Sequence, residues 1–198
     1  MLCTISDRIV QQLLKWKIIV QEEYEIYLFG VQQLISNILN VLSAIIIGLI
    51  TREVLPCMIF LICFTAIRQY AGGYHASTRP RCYLLSMSVV AVVLAIIRYV
   101  TISFWLLVGL LIIASLVILL LSPVDTENKR LDNIEQNYYR RKAIVIWGIE
   151  SIAAALCILF EYECLAESIV FALVVLSIAQ VAEAEKNRVH QSEEELVA

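Results

Sequence analysis

The stretch Ile102-Ser-Phe-Trp-Leu-Leu-Val-Gly-Leu-Leu-Ile-Ile-Ala-Ser-Leu-Val-Ile-Leu-Leu-Leu121 runs for twenty residues without a charge. About 20 apolar residues in an α-helix cross the hydrocarbon core of a bilayer. Five further apolar runs accompany it: from about Ile26 to Ile50, Val54 to Arg68, Cys82 to Tyr99, Lys142 to Phe160, and Leu165 to Ala182. The sequence therefore predicts an all-α polytopic membrane bundle of about six transmembrane helices. The second run is short and carries Pro56, so it is expected to tilt or to start late. Composition points the same way. Of 198 residues, 61% are apolar and 17% charged, and the mean hydropathy is +0.82. A soluble domain is about half apolar and a quarter charged. These values exclude a disordered chain and a collagen-like chain. A net charge of −3 excludes a protein whose partner is nucleic acid.

The sequence organises as one membrane domain over residues 1–182 and a charged tail over 183–198. Ile5, Ile9, Val10, Leu13 and Leu14 recur at helical spacing, so residues from about 4 to 20 are expected to form an amphipathic helix. Thr4-Ile5-Ser6-Asp7 fits a capping box at its start. This helix either lies in the membrane interface or caps the bundle. Asp7, Arg8, Gln11, Gln12, Lys15 and Lys17 interrupt any signal-peptide core. The tail, with Glu193-Glu194-Glu195 and His190, reads as solvated. Of the fifteen Lys and Arg residues, only Arg52 and Arg98 fall on one side of the predicted bundle. The other side collects Arg8, Lys15, Lys17, Arg68, Arg79, Arg81, Lys129, Arg130, Arg140, Arg141, Lys142, Lys186 and Arg188. The positive-inside rule then places both termini, the 68–81 loop and the 122–141 loop in the cytoplasm.

Six cysteines and two histidines are present, and no CxxC pair occurs. Cys57, Cys63 and Cys157 lie in apolar runs and read as packing residues. With so few histidines neither a metal site nor a cofactor is expected. The chemistry concentrates in Arg68-Gln-Tyr-Ala-Gly72-Gly73-Tyr-His75-Ala-Ser-Thr-Arg-Pro80-Arg-Cys82. Gly72-Gly73 ends a helix, Thr78 or Arg79 caps the next, and Pro80 suits its first turn. Cys82 then falls in that first turn, where the helix N-terminus, Arg79 and Arg81 favour negative charge. His75 stands seven residues earlier across a tight loop, within range of a general base. The N–H groups of the turn suit a tetrahedral oxyanion. This is the outline of a Cys–His acyl-transfer site. Spacing alone leaves a loop histidine and an interfacial cysteine as the alternative.

The pattern Arg-x4-Gly-x-His-x6-Cys directly after a short apolar helix resembles the motif of the accessory gene regulator B (AgrB) family. Tyr27-Leu-Phe29-Gly30-Val31-Gln32 is similar to that family's stretch at its first membrane helix. Pro123-Val-Asp125-Thr-Glu127-Asn128-Lys129-Arg130-Leu131 and Tyr139-Arg140-Arg141-Lys142 are similar to its basic central loop. Arg130 stands where proline is expected, and Gln32 where many members have glutamate. The resemblance implies a membrane cysteine endopeptidase of bacterial peptide quorum sensing. Such an enzyme cuts an AgrD-type precursor on the C-terminal side of its future signal through an acyl-enzyme thioester, and the precursor's own cysteine closes a thiolactone. On that resemblance Cys82 is the nucleophile and His75 the base, Arg68 and Gly73 match motif positions, and Gln32 is a candidate helper.

Other polar residues remain. Asn37 and Asn40 share a face of the first apolar helix, flanked by Ser36 and Ser43. Glu150 lies well inside the fifth and is expected to orient His75, to bind a basic substrate residue, or to hydrogen-bond between helices. Arg98 is expected to snorkel. Lys129, Arg130 and Arg140 either capture an acidic precursor segment or serve only as a topology signal. A homodimer is compatible with the polar helix faces. The competing function classes are a small transporter exporting a signal peptide and a non-enzymatic membrane scaffold.

Overall fold

The structure is a computed structural model that describes residues 2–74, 78–124 and 132–197. Among these, the elements are helical throughout: α1 (Leu2–Lys15), a 3-10 turn (Gln21–Glu23), α2 (Tyr24–Thr51), α3 (Val54–Ala71), α4 (Arg79–Tyr99), α5 (Phe104–Leu121), α6 (Asn133–Leu159) and α7 (Glu163–Val197). Helices α2 to α7 are each long and apolar enough to cross a membrane, which gives the six expected spans. The chain alternates direction, so the joints α3–α4 and α5–α6 lie at one end. The joints α2–α3, α4–α5 and α6–α7 lie at the far end.

Local chemistry sets the helix ends. Arg52 takes a left-handed conformation (φ 61°) after α2, and the Glu53 N–H donates to the Gly48 carbonyl at 2.8 Å. The last turn is thereby closed without water. Ser103 caps α5, its hydroxyl accepting from the Leu106 N–H. Arg98 at the far end is ion-paired with Glu53 at 3.1 Å, so it holds α4 to the α2–α3 joint as well as reaching toward water.

Helix α7 is the axis of the bundle. Of its apolar stretch 61% is buried, against 11–28% for the other five spans. Between lipid-coated helices there is no hydrophobic driving force, so packing depends on close van der Waals approach at small residues. On α7, Ala166, Ser168 and Ala172 are fully buried. The helix feeds all three clusters of the interior. Phe171 and Ala172 join Ala44, Cys57, Phe60 and Leu94. Leu173 and Leu176 join Ile67, Ala71, Ile118 and Ala143. Ala166, Ile169 and Val170 join Leu107 and Ala154.

Several bounds differ from the sequence expectation. Helix α1 begins at Leu2, so Thr4 lies inside it and not at a cap, and it ends at Lys15. It packs on α2, with Ser6 and Val10 buried, while Ile5 and Ile9 stay exposed. Asp7 fixes the contact by accepting from Gln11 Nε2 at 2.9 Å and from the Tyr24 hydroxyl. Helix α6 starts at Asn133 and takes in part of the expected 122–141 loop. Its added turns are held by aromatic contact, Tyr139 lying 6.0 Å from Tyr70 of α3. Helix α7 does not stop near Ala182, and Glu183, expected in a solvated tail, is 1% exposed.

Candidate active site

Residues 68–74 of the segment singled out in the sequence lie where the ends of α3 and α5 meet α7. Helix α3 stops because Gly72 and Gly73 both take positive φ, 76° and 139°, a region that favours glycine. At Gly72 space demands glycine as well. A Cβ on Gly72 would stand 2.5 Å from the Val124 carbonyl oxygen, and one on Gly73 would stand 3.4 Å from the Ala179 Cβ. The chain therefore leaves α3 pressed between the 122–124 segment and α7.

Backbone and side chain bonds lock it there. The Tyr74 N–H donates to the Ala179 carbonyl at 2.9 Å, and the Val124 N–H to the Ala71 carbonyl at 3.1 Å. Fully buried Gln180 donates through Nε2 to the Ala71 carbonyl at 3.0 Å and to the Ser122 hydroxyl at 2.8 Å. One amide thus ties the ends of α3 and α5 to α7. Sequence reading passed over Gln180 and Ser122. The available signal was an uncharged amide inside an apolar run, the same signal that drew attention to Asn37 and Asn40.

Arg68, one turn before the end of α3, donates from Nη2 to the Tyr74 carbonyl at 2.7 Å. Its guanidinium lies 5.2 Å over the Phe64 ring. It therefore clamps the start of the loop, as a helix-end anchor would. It also interacts electrostatically with the Cys82 sulfur. Across the loop, extended Thr78 is the N-cap of α4 and Pro80 lies in its first turn. The Cys82 N–H donates to the Thr78 carbonyl at 3.0 Å. The Arg79 and Arg81 N–H groups precede that first intrahelical bond, and Pro80 has none to leave unpaired. The half-buried Cys82 thiol so stands in the first turn of a helix. The open N–H groups of such a turn can meet negative charge on an adjacent carbonyl oxygen.

The remaining sites named from the sequence are distributed as follows. His75, Lys129 and Arg130 lie outside the described residues. Gly73 is the turn glycine against α7. Gln32 sits on α2, its carbonyl accepting from the Ser36 hydroxyl. Arg140 is exposed near the start of α6. Glu150 is buried in the bundle, where it interacts electrostatically with Cys63 of α3. Cys57 packs against α2, its thiol donating to the Ala44 carbonyl at 3.3 Å. Among the described residues, no group of three or more His, Cys, Asp or Glu side chains is placed to hold a metal ion.

Comparison with known proteins bears on this arrangement. The family model "Accessory gene regulator B" matches residues 6–181. The chain is 29% identical over 115 residues to AgrB-like protein 2 of Clostridium perfringens (strain 13 / Type A), and that match covers 54% of each chain. It is 28% identical over 115 residues to an AgrB-like protein of Clostridium perfringens (strain SM101 / Type A), again over 54% of each. An AgrB-like protein of Listeria innocua serovar 6a is 24% identical over 148 residues, 71% of each chain. The chain thus spans about half the length of the two clostridial relatives. No solved structure matches it.

Proposed function

This chain belongs to the accessory gene regulator B family, and on that premise we propose that it is a membrane cysteine endopeptidase that processes an AgrD-type precursor peptide. The observation that carries the reading is the placement of Cys82 in the first turn of α4, across the loop from the glycine turn that Arg68 clamps. Cys82 is the nucleophile and His75 the base. His75 takes the thiol proton as sulfur attacks the scissile carbonyl carbon. The oxyanion formed is met by the N–H groups that open α4 and by the positive charge of Arg68. Collapse breaks the C–N bond. The released amine of the C-terminal fragment takes the proton from His75, and the acyl group stays on Cys82 as a thioester.

In the second step a cysteine thiol of the precursor attacks that thioester. A thiolactone forms, and the Cys82 thiolate leaves and regains a proton. Exchange between thioesters is nearly level in free energy, whereas hydrolysis is strongly downhill and loses the acyl group. A site set among membrane helices, where water is scarce, protects the intermediate. Holding the attacking thiol close makes ring closure intramolecular. The basic split of the sequence supports a cytoplasmic site in a bacterial cell membrane.

The test is co-expression with a cognate precursor. Cys82→Ser and His75→Ala are each expected to abolish cleavage while the protein still inserts. Cys57→Ala, Cys63→Ala and Cys157→Ala are expected to process normally. Processing retained in Cys82→Ala would remove the acyl-enzyme mechanism.

A further inference from the structure

The polar residues of α2 are gathered on one face. At about 100° per residue, Gln32, Gln33, Ser36, Asn37, Asn40 and Ser43 fall within an arc of about 140°. Ala44 and Gly48, the buried residues of this helix, continue the same side toward the far end. There Gly48 lies so close to Cys57 that an added Cβ would be 3.1 Å away. Packing on α3 is therefore tight at the far end. Nearer the site the same side bears amides and hydroxyls, and Gln33 and Asn37 are exposed. Gln33 Nε2 donates to Asn37 Oδ1 at 3.1 Å. Asn40 Oδ1 is buried and has no hydrogen-bond partner. Ser43 shares a 2.7 Å hydrogen bond with the Tyr83 hydroxyl, and Tyr83 is the residue after Cys82. At Ser43 the stripe thus touches α4 through the side chain next in sequence to the proposed nucleophile.

In a membrane-spanning helix, open amides have no water to satisfy them and persist where a partner does so. We propose that the partner is the main chain of the precursor: the segment on the acyl side of the scissile bond lies extended along α2, hydrogen-bonded to Asn40, Asn37 and Gln33. This rests on Cys82 being the nucleophile. Side-chain amides carry both a donor and an acceptor, which matches the alternating C=O and N–H of an extended peptide. A helix of a second copy would already have its peptide groups paired and would need only side-chain partners. From Gln33 to Ser43 the rise is about 15 Å, enough for four or five extended residues at about 3.3 Å each. Over those positions the enzyme reads backbone conformation and not side-chain identity.

The experiment uses the full chain in proteoliposomes with a synthetic AgrD-type precursor carrying a diazirine residue three positions before the scissile bond. In a Cys82→Ser background, which binds without turnover, irradiation is expected to give adducts on residues 33–40 of α2 and on Tyr83. In the otherwise unaltered enzyme, Asn37→Leu with Asn40→Leu is expected to raise KM about tenfold with kcat within about twofold. Asn40→Gln should restore KM. Adducts confined to lipid or to other helices, an α2-to-α2 cross-link between two copies that precursor does not displace, or an unchanged KM would each overturn the proposal. Loss of the nucleophile assignment gives a different pattern, with adducts on α2 retained while Cys82→Ala still processes.

Discussion

Gly72 carries two demands at once, a left-handed φ and a carbonyl 2.5 Å from where a Cβ would be. Gly72→Ala is expected to destabilise the protein by about 1–3 kcal/mol and to reduce processing. Gly109, with nothing within 4 Å of its missing Cβ, supplies the control: Gly109→Ala should leave both unchanged. Thermal unfolding in detergent and precursor cleavage measure the pair. Glycine at the turn was legible in the sequence because Gly72-Gly73 ends an apolar run and Pro80 opens the next. The Arg68 contact with Tyr74 was not legible. It depends on a loop doubling back over the end of its own helix, and residue spacing carries no trace of that. Glu150 shows the reverse. Its burial was apparent from its apolar neighbours, but the buried Oε2 without a hydrogen-bond partner was not.

At the scale of elements, the spans were readable because lipid demands uninterrupted apolar length. The rank of the helices was not. The most apolar run is α5, yet α7 alone is mostly enclosed. Its small residues were the available clue. The start of α6 was missed because its first turns are held by Tyr70 and Tyr139 and not by an apolar face toward lipid. The amide of Gln180 joins three elements, so its loss should loosen the site more than the bundle. Gln180→Leu keeps the volume and removes both donors. Its expected cost is about 1–3 kcal/mol, read as a lower unfolding temperature. Cys82 should also react faster with a water-soluble maleimide, because the end of α3 is no longer fixed. Unchanged maleimide kinetics would separate Gln180 from the site.

At the scale of the molecule, charge distribution makes two claims. Cysteine-accessibility mapping is expected to place residues 72–81 and 125–138 inside the cell, and residues 51–53 and 161–164 outside. Finding 72–81 outside would deny a cytoplasmic precursor its access. Lys129, Arg130 and Arg140 bear on capture. If they attract an acidic precursor tail, neutralising them should raise KM with kcat nearly constant. The effect should fade at high salt, since attraction acts over a Debye length of about 8 Å at physiological ionic strength. Arg141 and Lys142 stay in place so that orientation is undisturbed. An unchanged KM would leave the loop a topology signal.

The bond from Gln180 to the Ala71 carbonyl joins residues 109 positions apart. During translation the end of α3 therefore emerges long before the residue that fastens it. At about 5–20 residues per second the delay is roughly 5–20 s. Through that interval the nascent chain holds its nucleophile without the brace that shapes the surrounding turn. Assembly of the site is thus among the last events of biogenesis, and a ribosome that stalls before α7 leaves an inserted but unbraced chain.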